Sequence, residues 1–205
     1  MSIPCKICET KRARRHCPGV DGEICPQCCG EQRENTVDCP LDCAYLREAR
    51  LHERTPEVEP SQVPNMDIKV SETFIRDNEP LVFSLALALR RSIETERAVD
   101  FDAREALESA VRTLRTRESG LIYESRPQNP YAAAIQARLN EAVGQFEKTV
   151  GADAGVPIRD ADVLGSLVFL QRLELQHNNG RRRGRAFLDF LTHYLPEPET
   201  PAVIA

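Results

Sequence analysis

The sequence predicts a mainly α protein in which a small N-terminal zinc-binding module precedes an α-helical bundle. Three observations carry that expectation. All 8 cysteines of the 205-residue chain fall between Cys5 and Cys43, in closely spaced groups. Proline then recurs at every fourth position through Pro56, Pro60 and Pro64. Beyond that stretch, apolar residues return at the three- and four-residue spacing of a helix face. The expected organisation is a cysteine module over residues 1–54, a proline-rich linker over 55–66, a helical bundle over 67–195 and a flexible tail over 196–205.

Composition narrows the classes. Hydrophobic residues make up 41% and charged residues 29%, enough for a packed core and against wholesale disorder. A net charge of −5 argues against a protein that coats nucleic acid by charge alone. The longest apolar run, Leu81 to Leu89, covers 9 residues, against the roughly 20 needed to cross a bilayer, so no membrane partner is expected. Met1-Ser2-Ile3-Pro4 runs into Cys5 without a basic leader or an apolar segment, which leads to the expectation of a cytoplasmic protein. Thiols stay reduced in that compartment, so metal binding is favoured over disulfides. The adjacent pair Cys28-Cys29 agrees, because neighbouring cysteines bridge each other only with strain but readily face two different sites.

The cysteines read Cys5-x2-Cys8, Cys17, Cys25-x2-Cys28-Cys29 and Cys39-x3-Cys43. Zinc takes four soft ligands in a tetrahedron, and thiolate is the best of them. A Cys-x2-Cys turn delivers two sulfurs to one ion because the chain doubles back in a tight knuckle. Cys5-Lys6-Ile7-Cys8 and Cys25-Pro26-Gln27-Cys28 are such knuckles, the second followed by the permissive Gly30. Cys39 and Cys43 are expected on one face of a helix that Pro40 begins and that continues to Leu51. Its positive N-terminal end favours ionised thiols. An interleaved pairing uses each cysteine once. Cys5, Cys8, Cys25 and Cys28 surround one zinc; Cys17, Cys29, Cys39 and Cys43 surround another. His16 in place of Cys17, and His52 late in the helix, are alternative ligands. Each four-thiolate site carries a net charge of about −2, which the basic run Lys11-Arg12-Ala13-Arg14-Arg15 offsets. With every ligand position filled by protein, both ions are expected to be structural, and in so short a module metal binding largely is the folding free energy.

The order of these pairs resembles the binuclear, cross-braced zinc modules of the RING, B-box and MYND kind, and implies a treble-clef or cross-brace fold for the first segment. This chain has cysteine where those families usually place histidine, and it has no tryptophan. The resemblance therefore implies a module type and no ubiquitin-ligase activity. The strings Cys25-Pro26-Gln27-Cys28-Cys29-Gly30 and Cys39-Pro40-Leu41-Asp42-Cys43-Ala44-Tyr45-Leu46 are also similar to the beginning of uncharacterised bacterial cysteine-rich proteins.

In the linker, proline removes amide donors and fixes φ, so an extended, semi-rigid spacer is expected. Ile68 and Val70 suggest a short strand. Five helices follow. Leu81, Val82, Leu85, Leu89 and Ile93 line the first, with Pro80 in its opening turn. Ala106, Leu107, Ala110, Val111 and Leu114 line the second, capped by Asp102. Gly120 and Pro127 bracket an irregular connection. Asn129-Pro130 opens the third, lined by Ile135, Leu139, Ala142, Val143, Phe146 and Val150. Asp160 caps the fourth, lined by Val163, Leu164, Leu167, Leu170 and Leu173. Phe187, Phe190, Leu191, Tyr194 and Leu195 line the last.

Chemistry is scarce in this half. No Gly-rich phosphate loop, nucleophile elbow or His-Glu-x2-His stretch occurs. Glu174 and His177 have the spacing of a di-iron bundle ligand pair, but no second copy accompanies them. The first expectation is a non-enzymatic interaction, scaffold or regulatory protein with structural zinc and a protein partner. The alternative is a nucleic-acid-binding regulatory factor that grips phosphates through Arg12, Arg14, Arg15, Arg181, Arg182, Arg183 and Arg185. Lesser alternatives are a thiol redox sensor and an enzyme sited in the helical domain.

Overall fold

In the computed structural model, residues 3–53, 57–154 and 158–195 are described. The chain is mainly helical. A two-stranded antiparallel hairpin, β1 (Arg15–Cys17) and β2 (Gly22–Ile24), is followed by helices α1 (Pro26–Gln32) and α2 (Ala44–Arg50). A 3-10 turn at Pro60–Gln62 then leads to α3 (Glu72–Asp77), α4 (Glu79–Glu96), α5 (Asp100–Glu118), α6 (Pro130–Ala154), α7 (Asp160–His177) and α8 (Ala186–Tyr194).

The four long helices pack as the hydrophobic spacing demands. α4 lies against α6, α5 against both α6 and α7, and α8 closes one end on α4 and α7. Leu85, Leu89, Leu107, Ile135, Leu139, Leu170, Phe187 and Leu188 form the centre of this core and are almost wholly removed from water. Burying each such side chain contributes about 1.5–3 kcal/mol. Pro130 opens α6 as the sequence suggests, and Pro80 falls in the first turn of α4. Two expected caps move by one turn or less. Asp102 is the third residue of α5 rather than its cap, and its carboxylate accepts from the Val99 amide at 2.9 Å. Asp160 is the first residue of α7, after the cap Arg159.

Three expectations are corrected. Ile68 and Val70 form no strand; both pack against the bundle core. The linker does not run extended to its end. After the turn at Pro60–Gln62, the Arg172 guanidinium donates to the carbonyls of Pro64, Asn65 and Ile68 at 3.3, 2.6 and 3.0 Å, and Asn65 donates to Gln171 at 2.7 Å. Those bonds pin the segment to α7. The expected boundary at Arg54 to Pro56 and the tail 196–205 lie outside the described residues. The third correction is Cys39 and Cys43, which do not share a helix face. Residues 40–43 form a turn closed by the Cys43 amide on the Pro40 carbonyl at 3.1 Å, and α2 starts only at Ala44, with Cys43 as its cap.

Helix α3 has no counterpart in the sequence expectation. It is 6 residues long, capped by Ser71, whose hydroxyl accepts from the Phe74 amide at 3.1 Å. Gly165 on α7 makes room for it: a Cβ there would sit 2.4 Å from the Phe74 ring.

Candidate metal centre

The first 53 residues have a separate small core made largely of cysteine, with Ile24, Val37 and Leu46 beside the sulfurs. Local hydrogen bonds fold the first knuckle. The Glu9 amide returns to the Cys5 carbonyl at 2.8 Å, with Glu9 in the left-handed region at φ 56°. The knuckle is fastened to the hairpin by the Lys6 amide on the Glu23 carbonyl at 2.8 Å. The second knuckle begins where β2 ends. Cys25 caps α1, Pro26 occupies its first turn, and the Cys25 sulfur accepts from the Cys28 amide at 3.4 Å. The Cys5 sulfur accepts from the Cys25 amide at 3.2 Å and ties the two knuckles together.

The result is a cluster. The sulfurs of Cys5, Cys8, Cys25 and Cys28 all lie within 4.8 Å of one another, and only Cys8 is not fully buried. Four sulfurs at about 2.3 Å from a tetrahedral ion such as zinc lie about 3.8 Å apart, a spacing that falls within this limit. Backbone amides aimed at the sulfurs fix ligand orientation and stabilise negative charge there. The protons respond to this crowding. The Thr10 side chain, with the Lys11 and Thr10 amides, lowers the Cys8 thiol to about 6. The neighbouring Cys25 sulfur, then burial, then Cys8 and Cys5, push Cys28 up to about 12. Burial pushes Cys5 up, but the amides of Cys8, Cys25 and Ile7 outweigh it and hold that thiol below its ordinary value. Four thiolates gathered in this volume would need a cation to offset their charge. This set can hold one metal ion.

The second expected set is gathered differently. Cys17, Cys29, Cys39 and Cys43 line a single cavity of about 20 Å3, together with His16, Arg33, Val37, Tyr45 and Leu46. That is room for one water-sized occupant. Among the described residues, mutual approach within 4.8 Å is a property of the first set alone. Cys29 accepts from the guanidinium of Arg15 at 3.4 Å and from that of Arg33 at 4.0 Å. Burial raises the Cys39 thiol, and the charges of Glu34, Cys17 and Cys43 push it the same way. His16 borders the cavity but is largely exposed and pairs with Glu23 across the hairpin at 3.3 Å. His52 is exposed beyond the end of α2. All eight cysteines are unbridged.

The arginines divide. Arg12 and Arg14 are exposed, whereas Arg15 stacks over the Tyr45 ring at 4.4 Å besides reaching Cys29. In the second group Arg182 and Arg183 are exposed. Arg185 is not: it is 7% exposed and donates to Asp38 at 2.7 Å and to the Ala98 carbonyl at 2.9 Å. Arg181 donates to the Arg33 carbonyl at 2.7 Å. Both side chains link the cysteine module to the bundle. Glu174 is buried and takes a two-pronged contact from Arg104 at 3.0 Å on each oxygen, while His177 stacks on Phe190 at 3.6 Å. Neither is set to bind iron.

The sequence reading missed Glu34. It is 1% exposed, and its carboxylate accepts from Arg50 at 2.8 Å, Asn179 at 2.8 Å and the Arg185 amide at 3.2 Å. Nothing in Arg33-Glu34-Asn35-Thr36 distinguishes it from an exposed turn residue; its role depends on partners about 150 residues away. No helix among the described residues is long and apolar enough to cross a membrane. Comparison of the chain with protein-family models, curated proteins and solved structures finds no match of any kind.

Proposed function

We propose that the protein is a cytoplasmic, non-enzymatic interaction or scaffold protein whose N-terminal module is folded by two structural zinc ions. The observation that carries this reading is the closed sulfur set of Cys5, Cys8, Cys25 and Cys28, with amides directed at its sulfurs. A four-thiolate zinc has no position left for water or substrate, so its contribution is to stability and shape. The cavity lined by Cys17, Cys29, Cys39 and Cys43 supports the second ion, with the guanidinium groups of Arg15 and Arg33 offsetting thiolate charge. The interleaved ligand order makes the module cross-braced in the manner of RING, B-box and MYND modules.

The nucleic-acid alternative has less to stand on. Of its seven arginines, Arg15, Arg181 and Arg185 make internal contacts, which leaves Arg12, Arg14, Arg182 and Arg183 exposed.

Metal analysis of purified protein with thiol counting tests the reading. Two zinc ions per chain and no rapidly reacting thiol are expected, with 8 thiols appearing after chelation. A single ion, or several reactive thiols before chelation, contradicts the ligand sets.

A further inference from the structure

The module meets the bundle through a short stretch of chain. The Arg33 carbonyl accepts from Arg181, and the Glu34 carbonyl accepts from the Arg183 amide, both at 2.7 Å. The Glu34 carboxylate collects Arg50, Asn179 and the Arg185 amide. Arg185 in turn donates to Asp38 and, at 3.4 Å, to the Cys39 carbonyl. These contacts occupy residues 33–39. Cys29, on α1, and Cys39 itself bracket that stretch, and Arg50 sits on α2, whose cap is Cys43. Three of the four cysteines on the second cavity therefore delimit the docking segment. Cys5, Cys8, Cys25 and Cys28 of the first set all precede it, Cys28 beside Cys29 on α1.

Glu34 also holds a left-handed backbone at φ 51°. A non-glycine residue stays there only when its surroundings impose the conformation. A metal ion joining Cys29 to Cys39 shortens the free loop between them and removes conformations that compete with this one. Gly19, in the hairpin turn, fits closely against the same loop: a Cβ there would lie 2.6 Å from the Asp38 carbonyl oxygen. Cys17, the fourth cysteine, sits at the beginning of that turn.

We infer that metal occupancy of Cys17, Cys29, Cys39 and Cys43 holds the cysteine module on the helical bundle, so that removing this ion releases the dock. The inference rests on the two-ion reading and adds regulation to it. The ligand is a thiophilic divalent cation, zinc or cadmium, because the donors are sulfurs. Cys29 and Cys43 are both partly exposed, which gives a chelator access to this site.

Cys17→Ser is the discriminating variant, because Cys17 lies on β1, outside the docking segment. Replacing its sulfur by oxygen leaves the backbone of the Gly19 turn in place, so the substitution acts on the dock chiefly through the ion. Zinc content and amide hydrogen exchange over residues 181–188 are measured on full-length wild type, Cys17→Ser and Cys8→Ser. Two ions in wild type, one in Cys17→Ser and exchange faster by about tenfold or more in that variant support the inference, with a smaller rise in Cys8→Ser. Where Cys17→Ser fails to fold, stepwise chelation of wild type decides the same question: exchange rises as one ion leaves and the other remains. Two ions in wild type with exchange unchanged on losing the second-set ion overturns the inference and leaves the two-ion reading standing. One ion in wild type overturns both.

Discussion

Glu34→Ala removes the carboxylate that joins the two halves of the molecule, and its cost follows from the partners left behind. The Arg185 amide and the Asn179 side chain lose their acceptor, and the Arg50 guanidinium, 15% exposed, keeps only Asp189. Removing one member of a buried ion pair costs about 3–5 kcal/mol. The surviving Arg50–Asp189 pair places this case at the low end, about 3 kcal/mol. In a chain of this length each kcal/mol moves the melting temperature by about 2–4 °C, so a drop of about 6–12 °C is expected. Glu34→Gly should be less damaging than Glu34→Ala by about 1 kcal/mol, because φ is 51° and glycine adopts that conformation without a Cβ clash. Urea unfolding of the purified protein measures both, and metal content should not change, since Glu34 contributes no sulfur. A loss under about 1 kcal/mol in the alanine variant, or a glycine variant less stable than the alanine one, refutes the reasoning.

Asp100 carries a pH prediction. Burial raises its carboxyl to about 7, against the pull of the Phe187 and Leu188 amides and with the help of the Glu174 and Glu34 charges. The folded protein therefore holds a proton that the unfolded chain has released, and stability falls as pH rises from about 4 to about 7. Asp100→Asn lacks that proton, so its deficit relative to wild type should shrink between pH 5 and pH 8; a deficit that grows contradicts the assignment. Arg104→Met strands the buried carboxylate of Glu174 by removing the guanidinium that contacts both of its oxygens, and should cost about 3 kcal/mol by denaturant titration. Adding Glu174→Gln should recover part of that loss, and no recovery would count against the pair. Phe187→Ala, at a wholly buried position, should cost about 3–5 kcal/mol and lower the urea midpoint accordingly.

The bundle was legible because burial drives it. Leu85 and Leu89, Leu107 and Val111, Ile135 and Leu139, and Leu164 and Leu167 recur at helical spacing, and the structure buries each of them. Short elements were not legible. Three-residue strands at Arg15–Cys17 and Gly22–Ile24 give no alternation to detect, and the six-residue α3 depends on a gap at Gly165 in a distant helix. Knuckle spacing identified the Cys5, Cys8, Cys25 and Cys28 set, because a turn of that length leaves two sulfurs close together. Spacing misled at Cys39 and Cys43, where the helix starts one residue after the pair. The arginine run at 181–185 illustrates the remaining difficulty. Sequence displays its charge, but Glu34, Asp38 and the carbonyls of Arg97 and Ala98 just after α4, which claim Arg185, are brought to it only by folding.

X-ray absorption at the zinc edge of the purified full-length protein tests the central claim most directly. Four sulfur scatterers at about 2.3 Å around zinc, with no nitrogen or oxygen neighbour near roughly 2.0–2.1 Å, are predicted. A shell containing light atoms, or a protein whose cysteines prove covalently bridged and free of metal, contradicts it.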